Sequence, residues 1–453
     1  MNIIIVGGGK VGTELVRLLS LESHNIVVVD INNKVIEEVV GNHDVMGLCG
    51  DGACCDVLEK AKVASCDIII ATTDSDERNV LCCLIARKMK ARHCIARVRN
   101  PSYAEQLVFM REELGLSMMV NPEYQAAREI SRLLKYPSAI DIETFGRGLI
   151  DMVEFKIIKG SALEDVSLKE IYNKISVRVL ICAVQRDGEV YIPNGDFILR
   201  KGDKIHFTAV HSELLKFFHA VDSEKGRIKS VMIIGGGTIS FYLAELLAAD
   251  MGMQVKIIEK NLERCIFLSD SLPKAHIIHG DGGNYELIED EGIVAVDACV
   301  TLTGMDEENI ITSLFAKSKG TKKVVTKINR VSAVNIAENV GLESVVSPKN
   351  ITADMILQYV RARQNSKGSN ILTLYRLLDG KAEAIEFIVR QKAHYVDVPI
   401  KDLKLNKNSI IASIIRNNKH IIPNGSDRLC LHDSVVVVST NKFMNDLNDI
   451  FKV

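Results

Sequence analysis

Short aliphatic and β-branched runs alternate, through the first hundred residues, with stretches whose apolar positions recur at helical spacing. The runs Asn2 to Val6, Ile26 to Val29, Asp44 to Cys49, Ile68 to Ala71 and Cys94 to Val98 predict strands, with helices between them. Such alternation predicts a parallel, doubly wound sheet with helices on both faces. Asn121-Pro122-Glu123 then supplies an N-cap, a proline at the first helical position and an acid in the first turn. It predicts a helix to about Lys135 that leaves the sheet domain. From about Ile142 the pattern turns to hairpins. Gly146-Arg147-Gly148 reads as a turn, Met152 to Ile158 as a strand, Ser167-x-x-Glu170 as a helix entry and Val179 to Val184 as a strand. Pro193-Asn194-Gly195 and Lys201-Gly202-Asp203 mark two further turns.

The whole arrangement recurs. Gly7-Gly8-Gly9 returns as Gly235-Gly236-Gly237, 228 residues later. Gly50-Asp51-Gly52 returns as Gly280-Asp281-Gly282, Asp76-Glu77-Arg78-Asn79 as Asp306-Glu307-Glu308-Asn309, and Ile192-Pro193-Asn194-Gly195 as Ile422-Pro423-Asn424-Gly425, each after 230 residues. Four matches at nearly one offset make the chain a tandem duplication. In the second small domain, Asp379-Gly380 is the first turn, Ile385 to Val389 the next strand and Ser434 to Val438 the closing one. Polar linkers fall at Ser223 to Arg227 and Asn365 to Asn370. The expected fold class is α/β: two tandem Rossmann-like doubly wound domains, each followed by a small α+β domain. The expected boundaries are 1–120, a crossover helix at 121–140, a small domain at 141–222, the second large domain at 228–348, a crossover helix and linker at 349–370, and the last small domain at 371–453.

Composition narrows the function. The 453 residues are 47% hydrophobic and 25% charged, which excludes a disordered chain. Lys plus Arg, 56, nearly balances Asp plus Glu, 58, so no basic field exists to hold nucleic acid. The first residues have no basic stretch before their apolar run, and Glu245 limits the best uncharged segment to Val231–Ala244, short of the ~20 residues of a span. The chain is therefore expected to stay in the cytosol. The eleven cysteines include no C-x-x-C and read as reduced, mostly buried thiols, with no metal site.

The chemistry concentrates at the ends of the strands. Gly7-x-Gly9-x-x-Gly12 follows a strand and opens a helix, and Asp30 closes the next strand. The first glycine permits the tight turn, the second lets backbone approach a diphosphate, and the third packs helix on strand. The free N–H groups of the helix start then face the anion. Asp30 would accept from ribose hydroxyls and repel a 2′-phosphate, favouring NAD or an adenine nucleotide over NADP. Thr73 suits ribose or diphosphate and Arg97 a terminal phosphate, with Asp74 beside them. Asp51 reads equally as a helix cap or a ligand contact, and Asp76 and Glu77 as first-turn helix acids. In the second half Glu259 stands for Asp30, Lys327 for Arg97, and Ser240 replaces the third glycine. That site is weakened and reads either as a second nucleotide site or as a structural relic.

A nicotinamide dehydrogenase would need a positioned proton donor such as His or Lys. No histidine recurs between the halves: His24, His43 and His93 map near Met253, Pro273 and Lys323. Duplicated binding modules without a repeated acid or base point to sensing, with a soluble NAD-dependent oxidoreductase as the alternative. The order Gly7-Gly8-Gly9-Lys10-Val11-Gly12, Asp30, Gly50-Asp51-Gly52, Thr72-Thr73-Asp74-Ser75-Asp76-Glu77, Ala96-Arg97-Val98-Arg99-Asn100-Pro101 and Ile192-Pro193-Asn194-Gly195 resembles the RCK, or KTN, regulators of potassium channels and transporters. The resemblance spans essentially the whole chain. It implies a non-enzymatic protein, peripheral on the cytoplasmic face of the membrane, that forms a homo-oligomeric, tetrameric ring. The ring's partner would be a Trk-type transmembrane potassium-translocating subunit, with NAD(H) or ATP/ADP setting its shape. Carried over, the contacts are Gly7, Gly8, Gly9, Lys10, Val11, Asp30, Thr73, Asp74 and Arg97, with Gly12 and Asp51 alongside. In the second half they are Gly235, Gly236, Gly237, Thr238, Ile239, Glu259, Asp281 and Lys327. The small domains read as dimer-forming scaffold.

Overall fold

The structure is a computed structural model that describes residues 1–453 except 23, 101–102, 104–108, 146–148, 222–225, 366–370, 379, 442–443, 445 and 452–453. The first large domain carries six parallel strands, β1 (Asn2–Val6), β2 (Asn25–Asp30), β3 (Met46–Cys49), β4 (Ile68–Ala71), β5 (His93–Arg97) and β6 (Met118–Val120), in the order β3-β2-β1-β4-β5-β6. The order reverses direction between β1 and β4, which opens a crevice at their carboxyl ends. Ile3 pairs with both Ile26 and Ile68, so the central strands are apolar on both faces, as helices on both sides demand. Two details depart from the sequence expectation. The third strand begins at Met46 rather than Asp44, and the three-residue β6 is too short to leave a pattern of its own.

The first small domain holds β7 (Asp141–Phe145), β8 (Ile150–Lys156), β9 (Leu180–Arg186), β10 (Glu189–Tyr191) and β11 (Lys204–Val210) in one antiparallel sheet. The helix entry expected at Ser167 is instead a 3₁₀ turn, Leu168–Glu170, before the short helix Ile171–Ile175. The Ser167 hydroxyl donates to the Glu170 carboxylate (2.6 Å) and caps no backbone group. The turn expected at Gly146-Arg147-Gly148, the Asp379 of the second-half turn and most of both linkers fall outside the described residues.

The second half repeats this plan. Strands β12 (Ser230–Ile234), β13 (Gln254–Glu259), β14 (Ala275–His279), β15 (Ala298–Thr301), β16 (Lys323–Lys327) and β17 (Ser344–Val346) form the parallel sheet. Strands β18 (Ile371–Leu377), β19 (Ala382–Ile388), β20 (Ser409–Arg416), β21 (Lys419–Ile421) and β22 (Ser434–Ser439) form the antiparallel one. Each small sheet is fastened by the same fork: Arg186 clasps buried Asp203 with two 2.7 Å bonds, and Arg416 clasps Asp433 at 2.8 and 2.7 Å.

The halves do not stand apart. The crossover helix Pro122–Lys135 turns its apolar face, Ala126, Ala127, Ile130, Leu133 and Leu134, onto the second large domain. There it packs with Ile228, Tyr242, Leu243 and Leu247. The helix Pro348–Asn365 lays Ala353, Ile356, Leu357 and Val360 on Leu15, Leu18 and Leu19 of the first. Each half thus completes the core of the other. Polar contacts register the exchange: Asn121 Nδ2 donates to the Tyr242 hydroxyl (2.9 Å), and Arg361 pairs with Glu22. The small sheets meet face to face through Phe145, Ile150, Met152 and Cys182 against Leu377, Ala384, Ala412 and Val438. Among the described residues, no helix is long and apolar enough to cross a membrane.

Ile130 and Ile356 are buried in these exchanged cores, at 0% and 1% exposure. Ile130→Ala and Ile356→Ala are each expected to cost about 2–5 kcal/mol. Exposed Val294→Ala should stay within about 0.5 kcal/mol. Urea unfolding of the full chain reads both, and an unchanged midpoint for Ile130→Ala would contradict the exchange.

Candidate functional site

The glycine loop after β1 separates what the fold needs from what it leaves open. Gly7 has φ +96°, and a Cβ there would lie 2.8 Å from the Thr73 nitrogen. A Cβ on Gly12 would stand 1.9 Å from the Gly7 carbonyl oxygen, so this residue packs the helix Lys10–Ser20 against the loop. Gly9 differs from both. It is the N-cap of that helix with φ −70°, and its absent Cβ would meet nothing within 4 Å. Neither backbone conformation nor packing requires glycine at this position, and the space it leaves opens onto the free N–H groups of the helix start.

The second loop has the same shape. Gly235 has φ +98°, and Gly237 caps the helix Thr238–Asp250 with φ −66° and open space at its Cβ position. Ser240 is fully buried in the place of Gly12, and its hydroxyl donates to the Gly235 carbonyl. The serine thus turns the close contact into a hydrogen bond and keeps the loop.

The acids behind the loops are held by backbone. Asp30 accepts from Gly8 N (2.7 Å) and Asn32 N (2.8 Å), and Glu259 accepts from Gly236 N (2.6 Å) and Asn261 N (2.8 Å). Each carboxylate oxygen keeps further accepting capacity toward the cleft. Asp51 closes a turn onto Ala53 N (2.9 Å), and Asp281 does the same onto Gly283 N (2.8 Å). Asp76 is buried and accepts from Arg99 N and Asn100 N, both at 2.8 Å, so it ties the loop after β5 to the helix Asp76–Lys88. Sequence reading passed over Asn79, which is fully buried. Its Oδ1 accepts from Thr73 N (2.8 Å) and its Nδ2 donates to the Arg97 carbonyl (3.0 Å), bracing two cleft loops at once. Asn309 repeats both bonds with Thr303 N (2.9 Å) and the Lys327 carbonyl (3.0 Å). The recurrence of asparagine three residues after each aspartate was the available signal.

These residues surround a cleft of about 530 Å³. Gly7, Gly9, Lys10, Val11, Asp30, Asp51, Thr73, Asp74 and Arg97 all line it, while Gly8 and Gly12 stand behind the loop. Its far wall belongs to the other half. Ile239 and Lys327, assigned by the repeat to the second cleft, line the first, together with Asn329, Pro348 and Lys349. Thr238 lies beside Ile239 at the start of its helix. Lys10, Arg78, Arg97, Arg99, Lys327 and Lys349 make the cleft cationic. Arg97 lies 3.5 Å from Glu123, the first-turn acid of the crossover helix, and its Nε is buried without a hydrogen-bond partner. Burial pushes the Arg97 guanidinium and the Lys327 ammonium below their ordinary values. Glu123 opposes the shift at Arg97, and Lys10 adds to it at Lys327. Buried, incompletely paired cations of this kind are what a phosphate oxygen satisfies. Among the described residues no cluster of His, Cys, Asp or Glu is arranged to hold a metal, and no imidazole lines this cleft.

Comparison with known proteins agrees in extent with the duplication. The TrkA-N domain model matches residues 3–122 and 231–348, and the TrkA-C domain model matches 152–221 and 384–452. A protein of Archaeoglobus fulgidus named Trk system potassium uptake protein TrkA homolog is 30% identical over 454 residues, covering all of both chains. Trk system potassium uptake protein TrkA of Halomonas elongata is 33% identical over 97% of this chain and 94% of its own. Among solved structures, the GsuK channel bound to NAD superposes with a TM-score of 0.64 at 18% identity, over 97% of this chain and 77% of that one. Two TrkA-N and two TrkA-C domains, matched in order along one chain, place this protein in the TrkA family.

Proposed function

We propose that the chain is the nucleotide-binding regulatory subunit of a Trk-type potassium uptake system. The observation that carries the reading is Gly9: a glycine that the fold does not need, at a helix start, facing a cationic cleft. The residues fit a dinucleotide or an adenine nucleotide. Gly9, Lys10 and Val11 would hold the diphosphate, Asp30 the ribose, and Arg97 with Lys327 the terminal phosphates. NAD(H) is the first candidate, with ATP or ADP as the other; the GsuK channel, which shares this fold, has been solved bound to NAD. A bound nucleotide supplies negative charge where Lys10, Arg97 and Lys327 converge. Since Lys327 comes from the second half, that charge draws the two halves together. A ligand that prefers the closed arrangement by about 100-fold contributes about 2.7 kcal/mol to it, enough to move a gate. We assign the chain no catalytic residue and place it on the cytoplasmic face of the membrane, against the translocating subunit.

A ring of copies is supported by apolar residues left outside both cores. Leu81 and Ile311 are 49% and 54% exposed on equivalent helices, and Ile336 and Val340 lie beside Ile311's helix at 57% and 47%. These surfaces suit contact with further copies in a tetrameric assembly.

Gly9→Val is expected to weaken NADH, NAD, ATP and ADP binding at the first cleft by at least about 100-fold in calorimetry with the fold retained. Gly12→Val should instead unfold the domain, because its Cβ has no room. Unchanged affinity in folded Gly9→Val would remove the site assignment. In cells lacking their own regulator, the wild-type chain with its translocating subunit should restore potassium uptake under nucleotide control, and Gly9→Val should lose that control. Paired Leu81→Asp and Ile311→Asp substitutions should reduce the solution mass to that of a single chain, and an unchanged mass would exclude these helices as the assembly surface.

A further inference from the structure

The surroundings of the two strand-end acids, Asp30 and Glu259, differ in charge. In the first, the residues around Asp30 are Ile31 and Val35, which line the cleft, and Cys49, the register partner of Asp30 across β2 and β3. In the second, the corresponding residues around Glu259 are Lys260, Arg264 and His279. Three uncharged positions have become basic ones, while Lys34 has become Glu263, so the change is one of placement: the arginine now stands one helical turn from the acid.

Their geometry is built. Arg264 Nε donates to the Gly236 carbonyl (2.7 Å), which seats the guanidinium on the glycine loop itself. The Phe267 ring lies 4.6 Å from the guanidinium carbon and holds its plane. Among the described residues its two terminal nitrogens donate to nothing. His279 Nε2 donates to the Lys260 carbonyl (3.1 Å), fixing the imidazole at the same strand end. The Glu259 carboxylate has one backbone N–H on each oxygen; burial pushes the Arg264 guanidinium below its ordinary value, and the charge of Glu259 opposes that shift. Asp30 has no such counter-charge at the three equivalent positions, Ile31, Val35 and Cys49. A carboxylate alone repels a phosphate on the ribose 2′-oxygen, whereas an arginine beside it accommodates one.

We infer that the second cleft takes an adenosine dinucleotide phosphorylated on its ribose, while the first takes the unphosphorylated form. The inference rests on the reading that the second glycine loop binds a nucleotide at all, and the test separates the two. The Gly9→Val chain, with the first cleft closed, is titrated with NADP and with NAD, which differ only in the 2′-phosphate. NADP should bind once per chain and at least about tenfold more tightly than NAD. Arg264→Ala should abolish that preference, and Lys260→Ala should reduce it independently. Gly237→Val, with only the first cleft open, should prefer NAD. If the Gly9→Val chain binds NAD but shows no preference for NADP, or if Arg264→Ala leaves the preference intact, the inference is wrong and the second nucleotide site stands. If it binds neither, the second site and the inference fall together.

Discussion

The structure depends on the exchange of two amphipathic helices. Each large domain packs its own helices on its sheet, and one of these layers is completed by a helix from the other half. The apolar face of Pro122–Lys135 closes the second domain, and that of Pro348–Asn365 closes the first. Burying side chains such as Ile130, Leu134, Ile356 and Val360 contributes about 1.5–3 kcal/mol each, so the interface between the halves is core rather than contact surface. A duplicated chain arranged in this way is one cooperative body with an internal pseudo-twofold relation. The small sheets, meeting through Phe145, Met152, Ala384 and Val438, extend the same relation.

That constraint also composes the cleft. A crossover helix that must reach the other half starts at the mouth of a nucleotide loop, and its first turn brings Pro122 and Glu123, or Pro348 and Lys349, to the cleft wall. The helix Thr238–Asp250, on which the exchanged helix packs, presents Ile239 at the same place. The cationic end of the first cleft therefore lies between the halves, with Arg97 from one and Lys327 from the other. Any anion held there acts on the relation of the halves directly, without a relay through the sheet.

Much of this was legible in the residues. Strand runs, the glycine loops, the acids Asp30 and Glu259 and the near-constant offset follow from local pattern, because turn geometry and strand burial are local requirements. The exchange was not. The apolar stripe of Pro122–Lys135 says that the helix buries a face but carries no label for the partner, and a fold in which it packed on its own sheet would show the same periodicity. For the same reason Lys327 was placed by the repeat in the second cleft, although the structure sets it on the wall of the first. Asn79 escaped notice because a buried asparagine bracing two loops looks, in sequence, like any polar helix residue. Ser240 was legible as a departure, but its effect was not. Only the structure shows that its hydroxyl donates to the Gly235 carbonyl.

The duplication leaves two loops of one shape under different constraints. Gly7 and Gly235 are bound by their positive φ, and both loops need a small residue at the position of Gly12 and Ser240. Gly9 and Gly237 are free of those constraints, with nothing within 4 Å of a Cβ at either. The residues that flank Asp30 and Glu259 are freer still, since Ile31 and Lys260 both face outward and are exposed. Charge can change there without disturbing a core, and Lys260 and Arg264 show that it has. The shared cores therefore fix the frame of both halves and leave the strand ends free to differ in charge.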